Sequence, residues 1–218
     1  MICKSAGNCR NFESSRPKGR VHEGADSIRS LVVGSFAHKK GTYDYAEVND
    51  PSPFSRVGPG PEFIIKPEVS HYGGNAGVDP LGNTVTTGVK SFAKDGTLAQ
   101  GVGTSFSTPR ITALAAGIQQ ELSEDFDPLL LKSLITHSAS YPREMTVPSI
   151  ERAKQVGFGL PKSVSEIIYN SPYEATLILR DNLAKGDKIL KLPTLKMGFA
   201  PCYENKVHSQ ELNLDNKC

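Results

Sequence analysis

Long apolar runs, a strong charge imbalance and a dense cysteine framework are all missing from this 218-residue sequence. No apolar stretch approaches the roughly 20 residues that a helix needs to cross a bilayer. The start, Met1–Ser5, lacks the basic segment followed by an apolar one that marks a secretory signal. The formal net charge is only +2 and the basic residues are scattered, which argues against a nucleic acid or a membrane surface as the main partner. We therefore expect a cytoplasmic protein that binds neither.

The four cysteines stand at the two ends of the chain: Cys3 and Cys9 near the start, Cys202 and Cys218 near the end. Domains that depend on disulfides usually have denser and more evenly spread cysteines. Cys3 and Cys9 are also too far apart for the tight pair typical of zinc sites, and no run of closely spaced carboxylates predicts a calcium site. We expect free thiols in a reducing compartment and no cofactor, and the sequence identifies no metal-binding residues.

The composition is that of a globular protein, with 38% hydrophobic and 22% charged residues. The length suits one ordinary domain with a small appendage. After Tyr169 the pattern changes, because residues 175–180 and 188–192 resemble two strands joined by a glycine-containing loop. We place a boundary near residue 171, and predict a main domain over residues 1–171 and the start of a β-rich region over residues 172–218.

A mixed α/β fold is indicated by short apolar runs that alternate with helical patterns. The run Ser30–Phe36 is mostly apolar and predicts a buried parallel strand. Residues 37–104 contain many glycines and prolines, which predicts long surface loops between short strands such as residues 63–65.

Two helices follow this region. Apolar residues at helical spacing predict a helix over residues 107–122, with Pro109 in its first turn. A second helix is predicted from Asp127 and Pro128, which have the order of an N-cap and a first-turn proline.

The segment Gly103-Thr104-Ser105-Phe106-Ser107-Thr108-Pro109 leads directly into the first of these helices. A serine hydroxyl is a poor nucleophile unless it is held rigidly and a base takes its proton. A helix N-terminus supplies rigidity and exposed N–H groups that stabilise an oxyanion, and Gly103 lets a substrate chain approach the backbone closely. The segment therefore predicts Ser105 as a catalytic nucleophile; the plainer alternative is that Ser105 only caps the helix.

This segment resembles the nucleophile motif of the subtilisin-like serine proteases, the subtilases, which is also followed by a helix rich in alanine and glycine. The resemblance implies a three-layer α/β fold with a mostly parallel sheet. It also implies a serine endopeptidase that cleaves peptide or protein substrates through an acyl-enzyme. The nucleophile elbow of the α/β-hydrolases, Gly-x-Ser-x-Gly, fits less well because Ser107 occupies the position of its second glycine.

A second resemblance lies at the start of the chain, where Ser5-Ala6-Gly7-Asn8 matches the subtilase segment that carries the oxyanion-hole asparagine. The resemblance implies a catalytic role for Asn8 and a substrate-binding role for Ala6, Gly7 and Gly103. Taken alone, a Gly-Asn pair is more often just a turn.

Further segments follow in the family's order, so that the resemblance covers about residues 5–170. They are Gly24-Ala25-Asp26-Ser27, Phe54-Ser55-Arg56-Val57-Gly58-Pro59, Lys66-Pro67-Glu68-Val69, Tyr72-Gly73-Gly74-Asn75 and Gly157-Phe158-Gly159.

The two remaining members of the family's triad have no match in the sequence. In subtilisin the order along the chain is Asp, His, Ser. In the family both Asp and His precede the oxyanion asparagine, and only seven residues precede Asn8 here. We expect both on the N-terminal half of the same catalytic domain, as a partner of this chain, so that the fold is incomplete at its N-terminus and the chain alone is inactive.

None of the five histidines is predicted to act as the base, since none stands in the sequence context that the family uses. They are His22, His38, His71, His137 and His208. The alternative reading is a catalytically inactive subtilase remnant, or a pseudoenzyme that binds peptides.

Overall fold

The computed structural model describes residues 1–21, 23–122, 125–170, 176 and 178. The chain divides into two compact units, Met1–Thr176 and Leu177–Cys218. Almost all of the second unit, and with it the predicted β-rich region over residues 172–218, lies outside the described residues. That region stays a prediction.

A parallel sheet of three strands forms the centre of the described part. Its strands are β1 (Cys3–Ser5), β2 (Leu31–Phe36) and β3 (Val69–Tyr72), in the order β1-β2-β3. Every residue of β2 is buried, as expected for a central parallel strand that is covered on both faces. The strand predicted from the run Ser30–Phe36 is thereby confirmed, and β1 lies at an edge of the sheet as far as the chain is described.

The described residues contain four helices in addition to this sheet, and the mixed α/β class is confirmed. Successive side chains of β2 point to opposite faces: Leu31 and Val33 pack in the largest apolar cluster, whereas Val32 and Phe36 belong to two smaller ones. No helix within the described ranges is long and apolar enough to cross a membrane. The helices are α1 (Thr104–Leu122), α2 (Pro128–Ser138), α3 (Ser149–Val156) and α4 (Val164–Tyr169).

The start of α2 agrees with the sequence and the start of α1 does not. The Asp127 carboxylate accepts the N–H groups of Leu129 at 2.9 Å and Leu130 at 3.1 Å, and Pro128 opens the helix. Helix α1 begins at Thr104, three residues before the predicted start, which leaves Pro109 inside the helix. Proline has no N–H, so the carbonyl four residues earlier, that of Ser105, lacks its usual helical donor.

Two antiparallel hairpins occupy much of the region predicted as loops. The carboxylate of Asp79 closes one turn by accepting the N–H of Leu81 at 2.9 Å, and that of Asp95 closes the other by accepting the N–H of Thr97 at 3.0 Å. The expected long loops are therefore partly wrong. The strands are β4 (Asn75–Val78) with β5 (Thr84–Thr87), and β6 (Val89–Phe92) with β7 (Leu98–Gly101).

The strand predicted near residues 63–65 is absent from the described fold. A single 3-10 turn, Pro61–Phe63, stands at its start, and Glu62 and Phe63 have positive φ angles of 48° and 63°. Such angles cannot continue a strand, and Phe63 remains 88% exposed.

A buried ionic cluster joins β3 to α2 and to the segment that precedes β2. Glu68 Oε1 lies 2.5 Å from Lys66 Nζ and 2.6 Å from Lys132 Nζ, while Glu68 Oε2 accepts the N–H of Val32 at 2.8 Å. Lys66 Nζ also donates to the carbonyls of Ser27 and Ser30. Burial lowers the pKa of Lys66, and the hydrogen bond that Lys66 donates to Glu68 opposes that effect. The cluster therefore fixes residues 27–30, which lead into β2.

Candidate active site

Ser105 lies in the first turn of α1 with an exposed side chain. Within the described residues its hydroxyl has no hydrogen-bond partner. The turn itself is firmly held, because the buried hydroxyl of Ser107 donates to the carbonyl of Gly34 in β2 at 2.8 Å. The structure thus presents a free hydroxyl on a fixed backbone, as a nucleophile requires.

Asn8 meets this turn although it is 96 positions away from Thr104 in the chain. Its Oδ1 accepts both the N–H and the hydroxyl of Thr104 at 3.0 Å. Two donors on one oxygen settle the orientation of the side-chain amide. Nδ2 therefore points away from Thr104, and it lies 2.9 Å from the place where a Cβ on Gly103 would be.

Two donors remain available around Thr104, which contacts Asn8 and directly precedes Ser105. Among the described residues neither Asn8 Nδ2 nor the Ser105 N–H has an acceptor. Donors that are fixed before the reaction stabilise a developing oxyanion without reorganisation. The arrangement can hold a negatively charged oxygen next to the Ser105 hydroxyl.

Gly103 connects the hairpin β6–β7 to this turn in a conformation that suits glycine. Its φ is 137°, its N–H donates to the carbonyl of Gly73 at 2.8 Å, and its carbonyl accepts the N–H of Phe106 at 3.0 Å. A Cβ here would press on the Asn8 amide. The position is therefore restricted by both backbone angle and space.

Phe106, the residue after Ser105, covers the end of the hairpin. A side chain at Gly101, the last residue of β7, would overlap the ring of Phe106. The contact pins the base of the hairpin to the first turn of α1.

Ala6 and Gly7 occupy different surroundings. The side chain of Ala6 is completely buried against Val21, Ala25 and Val32, so only its backbone could meet a substrate. Gly7 has a φ of 92° and lines an open concavity of about 450 Å³. The other residues that line it are Lys4, Ser5, Gly24 and Ala25.

A second open concavity, of about 690 Å³, lies beside Ser105 between β1 and α1. The helix contributes only small side chains to it, among them Thr112, Ala113 and Ala116. Cys3 lines the strand side, and burial raises the pKa of its thiol, which disfavours the reactive thiolate. Cys3 and Cys9 are both free thiols.

No histidine of the described part donates to or accepts from Ser105. Burial, assisted by the charge of Arg110, lowers the pKa of His71 to about 4, and its Nδ1 accepts the N–H of Tyr72 at 2.8 Å. Burial also lowers the pKa of His38. His137 stands in the last turn of α2, and His22 and His208 lie outside the described residues.

The described residues also contain no group of three histidine, cysteine or acidic side chains that could hold a metal ion.

Sequence reasoning missed two residues that shape the site: Thr104, which orients Asn8, and Lys4, which lines the concavity beside Gly7. Thr104 is part of the motif, but its contact with Asn8 joins residues that are far apart in the sequence. Lys4 directly precedes the matched segment Ser5-Ala6-Gly7-Asn8, and the motif specifies no residue type at its position.

Comparison with known proteins gives a consistent result. The sequence profile of the subtilase family matches residues 1–166. An uncharacterized protein, y4bN, of Sinorhizobium fredii is 28% identical over 166 residues, which are 66% of this chain and 37% of that protein. The chain thus spans little more than a third of the length of this curated relative.

Solved structures share the fold at low identity. Sphericase superposes with a TM-score of 0.53 and 19% identity, over 74% of this chain and 47% of its own. A protease from Pseudoalteromonas arctica superposes with a TM-score of 0.52 and 18% identity, over 77% of this chain and 42% of the protease. The prenylagaramide maturation protease PagA superposes with a TM-score of 0.52 and 19% identity, over 78% of this chain and 50% of PagA. In each case this chain matches half of the solved protein or less.

Proposed function

Because the chain belongs to the subtilase family, we propose that it is the part of a serine endopeptidase that carries the nucleophile and the oxyanion site. Family and fold support a serine protease function. The observation that carries the assignment to residues is the contact of Asn8 with Thr104, the residue before Ser105, which leaves Asn8 Nδ2 and the Ser105 N–H as two donors without acceptors. This pair is what an acyl transfer to serine needs.

The proposed reaction begins when the Ser105 hydroxyl attacks the carbonyl carbon of a peptide bond. A histidine base takes the proton, and Asn8 Nδ2 and the Ser105 N–H hold the oxyanion of the tetrahedral intermediate. The histidine then gives the proton to the leaving amine, which leaves an ester on Ser105. Water activated by the same histidine cleaves this ester and frees the hydroxyl.

We assign the histidine, and the aspartate that orients it, to an N-terminal half of the domain that is not part of this chain. Two observations support this. The chain matches half or less of the solved proteases that share its fold. The concavity between β1 and α1 also opens directly beside Ser105, so a segment seated there could bring a base to the hydroxyl.

Labelling with a fluorophosphonate probe tests the proposal, because the probe reacts with a serine only when a base activates it. We expect no labelling of the chain alone, and labelling when it is folded together with an upstream half that carries the Asp and His segments. The variant Ser105→Ala in the combined protein is the matched control and should not be labelled.

Each other outcome has a definite meaning. Labelling of the chain alone at Ser105 would show that its base lies within these 218 residues. No labelling of a well-folded combined protein would favour the alternative, an inactive remnant that only binds peptides.

A further inference from the structure

The concavity beside Gly7 is lined by a single charged side chain, that of Lys4. Lys4 Nζ donates to the carbonyl of Gly24 at 2.5 Å, and an ammonium group has three donors. Glu23 and Asp26 flank the segment that forms the opposite wall, but Lys4 makes no ion pair with a carboxylate in the part of the chain that the structure describes. The pocket therefore holds a positive charge with donors to spare.

The concavity adjoins Asn8, since Gly7, which lines it, directly precedes Asn8 in the sequence. A carbonyl held by Asn8 Nδ2 and the Ser105 N–H belongs to a residue whose side chain starts one bond from the reacting carbon. Gly7 precedes Asn8 directly and has no side chain, so it leaves the way into the concavity open. A side chain on the acyl side of the cleaved bond that passes Gly7 would enter this concavity and meet Lys4.

We propose that Lys4 makes this pocket selective for an acidic side chain, glutamate or aspartate, in the residue whose carbonyl Ser105 attacks. This inference rests on the proposed function. Ala25, which packs with Val21 and Val32, forms an apolar part of the wall, against which the methylene groups of a glutamate side chain would pack. Lys66 does not compete for the ligand, because its ammonium group is already bound to Glu68.

The first experiment measures binding and needs no catalysis. Two product-like peptides, identical except for a C-terminal glutamate or glutamine, are titrated against the chain combined with its upstream half. The terminal carboxylate occupies the oxyanion donors, and only the glutamate peptide adds a charge-assisted bond to Lys4. Such bonds lead us to expect about tenfold tighter binding of the glutamate peptide at low salt.

Three variants isolate the charge of Lys4. Lys4→Met keeps the length of the side chain and should bring the two affinities together, whereas Lys4→Arg should keep most of the difference. Lys94→Met removes an exposed lysine from the turn between β6 and β7 and should change nothing. Equal affinities in the unmodified protein, or a difference that survives Lys4→Met, would overturn the inference.

The second experiment separates this inference from the proposed function. Peptide substrates with Glu, Gln, Lys or Phe before the cleaved bond are compared by kcat/KM in the combined protein. We expect glutamate to be preferred, and Lys4→Glu to shift the preference to lysine. Cleavage without a preference for glutamate would contradict the assignment of Lys4 alone, whereas failure to cleave any of the four would contradict the protease itself and this inference with it.

Discussion

At the scale of single residues, the two ends of the Asn8 amide can be tested separately. Its Oδ1 accepts hydrogen bonds from Thr104, and we propose that its Nδ2 binds a substrate oxygen. In the combined protein, Asn8→Leu should lower kcat by about 10²–10³, which is the loss on removal of one oxyanion-hole donor from subtilisin. KM should change little, because the donor acts on charge that develops in the transition state.

Asn8→Asp distinguishes the two functions of that residue. The aspartate keeps an oxygen for Thr104 but has no donor, so it should be as slow as Asn8→Leu if the donor is what matters. An aspartate variant close to the unmodified rate would instead mean that Asn8 acts only by holding Thr104.

His71 should make folding stability depend on pH. Burial lowers its pKa from the ordinary 6.5 to about 4, so the unfolded chain binds a proton at a higher pH than the folded chain does. Stability from this residue is complete above pH 6.5 and falls as the pH drops from there towards 4, by at most about 1.4 kcal/mol per pH unit.

Urea unfolding of the combined protein at pH 7 and pH 5 measures this effect. His71→Asn can still accept the N–H of Tyr72 but does not titrate, so it should lose less stability between the two pH values. His137→Gln, at the end of α2, is the control and should behave like the unmodified protein. Parallel pH profiles for all three would show that His71 is not the source.

At the scale of elements, Glu68 is the link between β3, α2 and the segment before β2. Glu68→Gln would leave the buried ammonium group of Lys66 and that of Lys132 without a carboxylate. Removing one partner of a buried ion pair costs about 3–5 kcal/mol, because the other charge stays buried.

An exposed pair supplies the comparison for Glu68. Glu47→Gln breaks the ion pair of Glu47 with Lys40 at the surface, and such pairs contribute about 0–1 kcal/mol. Denaturant unfolding should separate the two variants clearly. A similar small loss for both would mean that water reaches Lys66 in the folded state.

Elements whose causes are local could be predicted from the sequence, and those set by distant contacts could not. The apolar run Leu31–Phe36 is enough by itself to predict a buried strand. Asp127 followed by Pro128 is likewise enough to predict the start of a helix. Helix α1 begins at Thr104 where its N–H meets Asn8, a residue that the local pattern does not include. The hairpins depend on turn aspartates, and the wrong strand near Phe63 followed from apolar residues whose backbone takes positive φ angles.

The candidate site shows the same division. The motif around Ser105 and the Gly7-Asn8 pair pointed to residues that the fold does bring together. The complete burial of Ala6 and the presence of Lys4 in a pocket depend on how β1 pairs with β2, which no short motif specifies.

At the scale of the whole molecule, β1 at the edge of the sheet and the small side chains of α1 beside it form a surface that we expect the N-terminal half to cover. An open strand edge is a site of aggregation. Expressed alone, the chain should be poorly soluble or unfold over a broad temperature range.

Size-exclusion chromatography and thermal melting check this expectation. Folding with the upstream half should give a single species with one sharp transition. A sharp transition and a monomeric elution volume for the chain alone would show that the edge of β1 needs no cover.

The contact between Phe106 and Gly101 joins the hairpin β6–β7 to the turn of Ser105. The hairpin β6–β7 ends at Gly101, and the ring that rests on it belongs to the residue after Ser105. The ring fills the space that a side chain at this position would need, so the close contact depends on glycine at position 101. The same hairpin exposes Phe92 and Leu98 as a cross-strand pair, so a polypeptide bound to this pair would lie on the element whose last residue contacts the turn of Ser105.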